Sequence, residues 1–218
     1  MSRLVLISDT HTMHRQIVVP EADILVHAGD VTYTGKRSQY EDFAAWLNIQ
    51  SERFKYVVFV AGNHDFAAEH TLRPLIQNER IYFLNDQGLE LDGIKFWGSP
   101  YTPRFGQWAF MENRGRDIRR HWELIPTDTD VLITHGPPFG ILDESELTQG
   151  HVGCEELEKA VGRIQPNINV FGHIHGAYGH KAGAPNAPYT DFYNAGVVNE
   201  DYKVVNEPWV VDISTKGE

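Results

Sequence analysis

Seven potential metal ligands fall within five short segments of this chain: Asp9-Thr10-His11, Gly29-Asp30, Gly62-Asn63-His64-Asp65, Thr134-His135-Gly136 and Gly172-His173-Ile174-His175. Carboxylate, amide and imidazole donors in this number can hold two divalent cations, and phosphate esters are the substrate class that such a pair suits. Asp9 and His11 are two apart, so from an extended strand end they point the same way and can reach one cation. His173 and His175 share that spacing and could equally face two different cations. Asp30 is the natural bridge, since a carboxylate has two oxygens. Asn63 offers a neutral oxygen to a metal, or its amide to a phosphate. His64 is the candidate to protonate a leaving group or to bind the substrate phosphate, with Asp65 beside it as the partner that would fix its tautomer.

Each residue alone has a plainer reading, because Asp beside Gly and Asn after Gly are ordinary turn residues. The coincidence is the signal. All five clusters follow apolar runs, which places them at the carboxyl ends of buried strands, where loops carry polar groups and the sheet fixes their positions. The runs are Leu4–Ile7, Ile24–His27, Tyr56–Val60, Val131–Ile133 and Ile168–Phe171. Between them the spacing predicts a helix from Gln39 to about Gln50 with Phe43, Trp46 and Leu47 on one face. It also predicts a helix from Glu69 to Gln77 kinked at Pro74, weak helicity over Arg116–Leu124, and a helix over Glu155–Ile164. Asp92-Gly93 between short strands reads as a two-residue hairpin turn. Gly98–Gly115 reads as a long ordered loop and Gly176–Pro188 as a small-residue loop. Asp191–Asn194, Tyr202–Val205 and Trp209–Ile213 read as short strands. The sum is an α/β fold of two packed sheets flanked by helices, in one domain spanning 1–218.

The remaining histidines read more simply. His27 lies inside a strand as a core residue; His70, His121 and His151 have no mate at ligand spacing; His14 and His180 are closer to the site. Trp108 and Phe110 read as packing residues, while Tyr101, Phe105 and Arg104 are open to contact with substrate. Cys154 opens a helix and reads as a packing residue. As the lone cysteine of 218 residues it excludes an intrachain disulfide. With 30 acidic against 19 basic residues the net charge is -11, which disfavours an extended nucleic-acid surface. No leader pattern and no apolar run of bilayer length is visible, so a cytoplasmic protein without a membrane partner is expected.

Taken in order, these motifs resemble the calcineurin-like metallophosphoesterase superfamily. Val26-His27-Ala28-Gly29-Asp30, Gly98-Ser99-Pro100, Trp108-Ala109-Phe110, Asn113-Arg114-Gly115 and His135-Gly136-Pro137-Pro138 are similar to its metallophosphoesterase-domain-containing, class III phosphodiesterase-like branch. The resemblance implies a two-sheet β-sandwich with flanking helices. It implies one metal on Asp9, His11, Asp30 and His175 and a second on Asp30, Asn63, His135 and His173, with His64 over the phosphate. The metals implied are two divalent ions, manganese first, with iron, nickel or zinc as alternatives. The activity implied is hydrolysis of small phosphodiesters, including 2',3'- or 3',5'-cyclic nucleotides, by a hydroxide bridging the metals. Protein phosphatases of the superfamily continue Gly-Asp into an Asp-Arg-Gly sequence, whereas this chain reads Gly29-Asp30-Val31-Thr32-Tyr33-Thr34-Gly35. Rival readings are a nuclease or phosphomonoesterase acting on nucleotides, and a non-catalytic metal-binding scaffold.

Overall fold

The computed structural model describes residues 1–214. Two mixed sheets form from strands β1 (Ser2–Ile7), β2 (Ile24–His27), β3 (Tyr56–Phe59), β4 (Ile81–Phe83), β5 (Gln87–Leu91), β6 (Ile94–Ser99), β7 (Val131–Thr134), β8 (Ile168–Phe171), β9 (Gly179–Ala184), β10 (Ala187–Asn194) and β11 (Trp209–Ile213). The first sheet runs β11-β1-β2-β3-β4 and the second β9-β10-β8-β7-β6-β5. Parallel pairing joins β1 to β4, with β11 antiparallel at the edge. Strands β6, β7, β8 and β10 are parallel, and β5 and β9 close that sheet as antiparallel edges.

Strand periodicity explains why the apolar runs are continuous rather than alternating. Leu4, Leu6, Ile24, Val26, Val58 and Val60 face Ile94, Phe96, Val131, Ile133, Ile168 and Val170 across the sandwich. Their neighbours Val5, Ile7, Leu25, Val57 and Phe59 point the other way, onto helix α1 (Arg37–Arg53). The matching outer face of the second sheet, with Trp97, Leu132 and Phe192, packs on α3 (Arg116–Glu123) and α4 (Glu155–Ile164). Strands covered on both faces must be apolar throughout. Tyr40, Phe43, Ala44 and Leu47 place α1 at the predicted helical spacing, and the helix begins two residues earlier than the sequence suggests.

Elsewhere the local chemistry decides differently. Pro74 breaks the predicted second helix, leaving one turn, α2 (Ala68–Thr71), and a 3-10 turn at Arg73–Leu75. Asp92 and Gly93 have φ of 51° and 78°, the geometry a two-residue hairpin turn needs. The small residues of 176–188 do not form a plain loop: β9 and β10 pair there, with a register shift between Ala182 and Ala184. Tyr202–Val205 is a loop and not a strand. Cys154 caps α4, its Sγ accepting the Leu157 N–H, and burial pushes its thiol up, in keeping with a packing role.

Candidate metal centre

Every donor cluster sits just past the end of a strand: Asp9 after β1, Asp30 after β2, Asn63 and His64 after β3, His135 after β7, and His173 and His175 after β8. To bring side chains back across the strand ends, the chain must turn within a residue or two. Asp9, His11, Asp30 and His173 do so in the left-handed region, at φ of 55°, 41°, 55° and 69°. Aspartate enters that region at modest cost, and histidine less readily, so the surrounding contacts hold the strain. Two glycines permit the approach. A Cβ at Gly172 would collide with Asp9 Oδ2, and one at Gly62 with Asp30 Oδ1.

The seven donors and His64 converge. Three groups have ligand atoms within 4.8 Å of one another: Asp9, His11 and His175; His11, Asp30 and His64; Asp9, Asp30 and His135. Asp30 Oδ2 is 3.7 Å from His11 Nε2 and 3.4 Å from His135 Nε2, between the two halves of the site. Asn63 Oδ1 lies 2.9 Å from His135 Nε2. His173 joins through its backbone N–H, which donates to the Asp9 carboxylate at 3.0 and 3.1 Å, and its ring packs 5.0 Å from that of His135.

The hydrogen bonds behind the rings determine what the front of the site presents. Backbone carbonyls only accept, so Nδ1 must carry the proton in His11 (3.1 Å from Thr32 O), His64 (2.8 Å from Tyr33 O) and His135 (2.9 Å from Ala28 O). The Nε2 lone pair of His135 then faces other acceptors, Asn63 Oδ1 at 2.9 Å and Asp30 Oδ2 at 3.4 Å, and that of His11 faces Asp30 Oδ2 at 3.7 Å. Acceptor against acceptor in a buried site is stable only with a positive charge between them, a proton or a metal ion. The donor set fits divalent cations with mixed nitrogen and oxygen preferences.

The electrostatics of the ion-free state agree. Burial pulls His135 down, but the charges of Asp30 and then Asp9 push it up to about 9. Burial also opposes His175, yet its hydrogen bond to Asp9 raises it. Burial would raise Asp9, and His175 followed by His135 brings it down to about 2. Asp30 is held below the usual carboxylate range, His135 outweighing burial. For His11 burial outweighs the pull of Asp30 and Asp9, and for His173 burial together with the charge of His135 does so, lowering them to about 4 and about 3. A proton on His135 thus supplies positive charge that the carboxylates demand.

Asp65 has a different role from the one expected of it. Its carboxylate is fully buried and accepts from Val31 N, Thr32 N, Thr32 Oγ1 and Gly62 N at 2.7–3.1 Å, tying the Asp30 loop to the Asn63 loop. The Tyr33 carbonyl, not Asp65, faces the His64 ring. His27 is the satisfied core residue expected: Nδ1 accepts the Gly29 N–H at 3.2 Å, so Nε2–H donates to Thr10 Oγ1 at 3.0 Å. His14 is buried against Phe43 and Trp46, with Asp42 at 3.0 Å. His180 pairs with Asp191 and stacks on Tyr193, and neither reaches the centre.

A cleft of about 330 Å³ opens over the donors, lined by Phe105, Trp108, Leu147, Glu200, Tyr202 and Arg104 among others. Trp108 stacks on His64 at 4.5 Å and 29°, half in the cleft, so it is a wall of the site and not the packing residue expected. Phe110 does pack on the core, and Tyr101 stacks on His121 away from the cleft. Phe105 stands exposed 5.5 Å from the His173 ring. Tyr33, Glu200 and Tyr202 escaped the sequence reading. Tyr33 is three residues from Asp30, a signal available in principle, whereas nothing local marks Tyr202. Among the described residues, no helix is long and apolar enough to cross a membrane.

Comparison with known proteins agrees with this geometry. Residues 2–177 match the family described as calcineurin-like phosphoesterase. Metallophosphoesterase domain-containing protein 1 of Homo sapiens is 36% identical over 98% of this chain and 72% of its own. A UPF0046 protein of Caenorhabditis elegans is 36% identical over 98% and 76%. A probable rhamnogalacturonate lyase C of Emericella nidulans is 39% identical over 81% of this chain, but over only 17% of its own length. Among solved structures, the protein TT1561 of Thermus thermophilus superposes with a TM-score of 0.61 at 14% identity, over 89% of both chains, which is a likeness of fold. Sequence, sheets and converging donors together make this chain a member of the calcineurin-like phosphoesterase family.

Proposed function

We propose that the protein is a metal-dependent phosphodiesterase acting on small phosphodiesters, cyclic nucleotides among them. The observation that carries this reading is the acceptor-facing-acceptor arrangement of His11, His135, Asn63 and Asp30. It is built to receive positive charge directly beneath a cleft of small-molecule size. Two divalent ions, manganese foremost, held by Asp9, His11, Asp30, Asn63, His135, His173 and His175 would acidify a water and neutralise phosphoryl oxygens.

The chain's own groups do the rest. His64 keeps its Nδ1–H on the Tyr33 carbonyl, so Nε2 faces the cleft and, once protonated, can donate to a phosphoryl oxygen or a departing alkoxide. Its stack with Trp108 fixes the ring plane, and Asn63 has an amide in reach of the same phosphate. Asp65 acts through the loops it ties together. A single phosphodiester charge suits this cleft better than a monoester dianion. The stretch from Gly29 to Gly35 lacks the arginine that protein phosphatases carry there, Arg114 is engaged by Gly153, Val152 and Glu155, and Glu200 adds negative charge at the rim. The cleft's size also argues for small diesters over long nucleic acids.

The test is Mn²⁺-dependent hydrolysis of bis(p-nitrophenyl) phosphate beside p-nitrophenyl phosphate, with wild type and His64→Ala. Diester-selective turnover that falls by about 10²–10⁴ in the variant is expected for a lost proton donor. A preference for the monoester, or no turnover with any reconstituting metal, would overturn the reading in favour of a phosphomonoesterase or an idle metal-binding protein.

A further inference from the structure

The matched family segment ends at residue 177, yet the chain beyond it returns to the site. Between β10 and β11 the segment 198–206 folds into a closed loop. Val198 and Val204 form an isolated antiparallel bridge at its base. Asn199 Oδ1 accepts the N–H groups of Asp201 and Lys203 at 3.1 and 2.9 Å, and the Asn199 carbonyl accepts that of Tyr202 at 2.8 Å. Glu200 latches the loop to the centre: its Oε1 accepts the N–H of Gly176, the residue after His175, at 3.0 Å. At the tip Tyr202 has φ 58°, a conformation an aromatic residue adopts only where contacts hold it. The turn sends its ring inward while Asp201 and Lys203 stay in solvent.

That ring meets His11 and His175 edge to face, with centroids 4.9 and 5.3 Å away at 79° and 86°, and Tyr33 backs it at 5.0 Å. His175 is the ring that needs it. A metal-binding imidazole ordinarily donates its other N–H to a carbonyl or carboxylate, which fixes ring orientation. His11 and His135 do this through Thr32 and Ala28. Among the described residues, no hydrogen bond is made to His175 Nδ1; its contacts run through Nε2, to His11 and Asp9.

We propose that Tyr202 is a positioning residue for His175, its ring taking the place of that missing hydrogen bond, so that the loop 198–206 completes the half of the centre built from Asp9, His11 and His175. The inference rests on the metal-dependent reading above. It goes further in assigning a role to a segment outside the matched family span.

The experiment is a calorimetric Mn²⁺ titration of the intact, metal-free chain as wild type, Tyr202→Phe, Tyr202→Ala, Glu200→Ala and Glu200→Gln. Two ions are expected for wild type and for Tyr202→Phe, which keeps the ring. Tyr202→Ala should weaken one of the two by about 10–100-fold and leave the other in place. Glu200→Ala should weaken the same ion by a smaller factor, with Glu200→Gln restoring it through its amide oxygen. That second pair also tests the loop should Tyr202→Ala fail to fold. Two unchanged ions in both Tyr202→Ala and Glu200→Ala would overturn the proposal. So would equal loss in Tyr202→Phe, which would move the role to the hydroxyl. A wild type that binds no Mn²⁺ would instead remove the metal-dependent reading itself, and this inference with it.

Discussion

Replacing Asp30 by asparagine removes one charge and almost no volume, so it isolates what the carboxylate does. Asp30 Oδ2 lies 3.4 Å from His135 Nε2. At an effective dielectric constant of about 20 that attraction amounts to about 5 kcal/mol, roughly three to four pH units on the imidazolium's titration. Burial opposes it, and the balance leaves His135 at about 9. In Asp30→Asn burial remains while the strongest favourable partner is gone, so His135 should titrate below the ordinary histidine value of 6.5. The loop should hold, because an amide oxygen can still accept the His64 N–H that Asp30 Oδ1 accepts at 2.7 Å. NMR titration of the histidine rings in metal-free protein reads the first effect, and Mn²⁺ stoichiometry with diester turnover reads the second. A fall of more than about 2.5 pH units at His135 is expected, within the roughly three to four that the Coulomb figure allows. Loss of at least one ion should accompany it, and turnover should drop by more than about a hundredfold, since even partners one step removed from a metal cost that much. A variant in which His135 still titrates near 9 while two ions bind would refute the reasoning.

Because ion-free His135 keeps its proton up to about 9, a cation must displace it. Mn²⁺ affinity should therefore rise with pH, about tenfold per unit for one proton released, and level off above about 9; a calorimetric affinity flat between about pH 6 and 8 would contradict this. Gly172→Ala drives a methyl into Asp9 Oδ2 and Ser8; chemical denaturation should show a loss of about 1–3 kcal/mol, and metal analysis should show weakened loading, whereas unchanged loading would mean Asp9 is not needed where it stands. His27 is buried neutral, and burial lowers it to about 3 from 6.5. The unfolded chain thus binds the extra proton between those values, and stability should be full above about 6.5 and fall by up to about 1.4 kcal/mol per pH unit below it. His27→Gln, which can still accept from Gly29 and donate to Thr10, should flatten that slope in denaturation series, and an unchanged slope would place the acid sensitivity elsewhere.

Residues that act through their own strand could be read in advance. Asp9, Asp30 and His135 each terminate an apolar run, and a strand end leaves a polar side chain few places to go. Helix α1 was legible for the same reason, since Phe43 and Leu47 declare a face. Residues that act through a tertiary neighbour were not legible. Asp65 stands next to His64, but its backbone position points it at the N–H groups of Val31 and Thr32. Trp108 sits in a Pro- and Gly-rich loop whose path only the assembled site defines. Tyr202 is separated by 27 residues from His175, taken from their numbers, and its ring reaches the centre because Asn199 closes a loop that has no sequence period. The β9–β10 pair was hidden by its small residues, which lack the branched side chains that usually announce a strand.

The provenance of the donors carries one last consequence. Asp9, His11, Asp30 and Asn63 extend from one sheet, and His135, His173 and His175 from the other. Apart from this edge, the layers meet mainly through apolar contacts in the interior, with a few directional links such as the Lys55–Asp92 pair and the Trp209 Nε1–H donated to Asn194 O. Cations gripped from both sides would rivet the sandwich at one end and bind only its closed form. At a hundred times the dissociation constant, each would add about 2.7 kcal/mol to the folded state. Starving such a protein of metal would then do more than empty the site: it would take away the stability that the bound ions add to the folded sandwich.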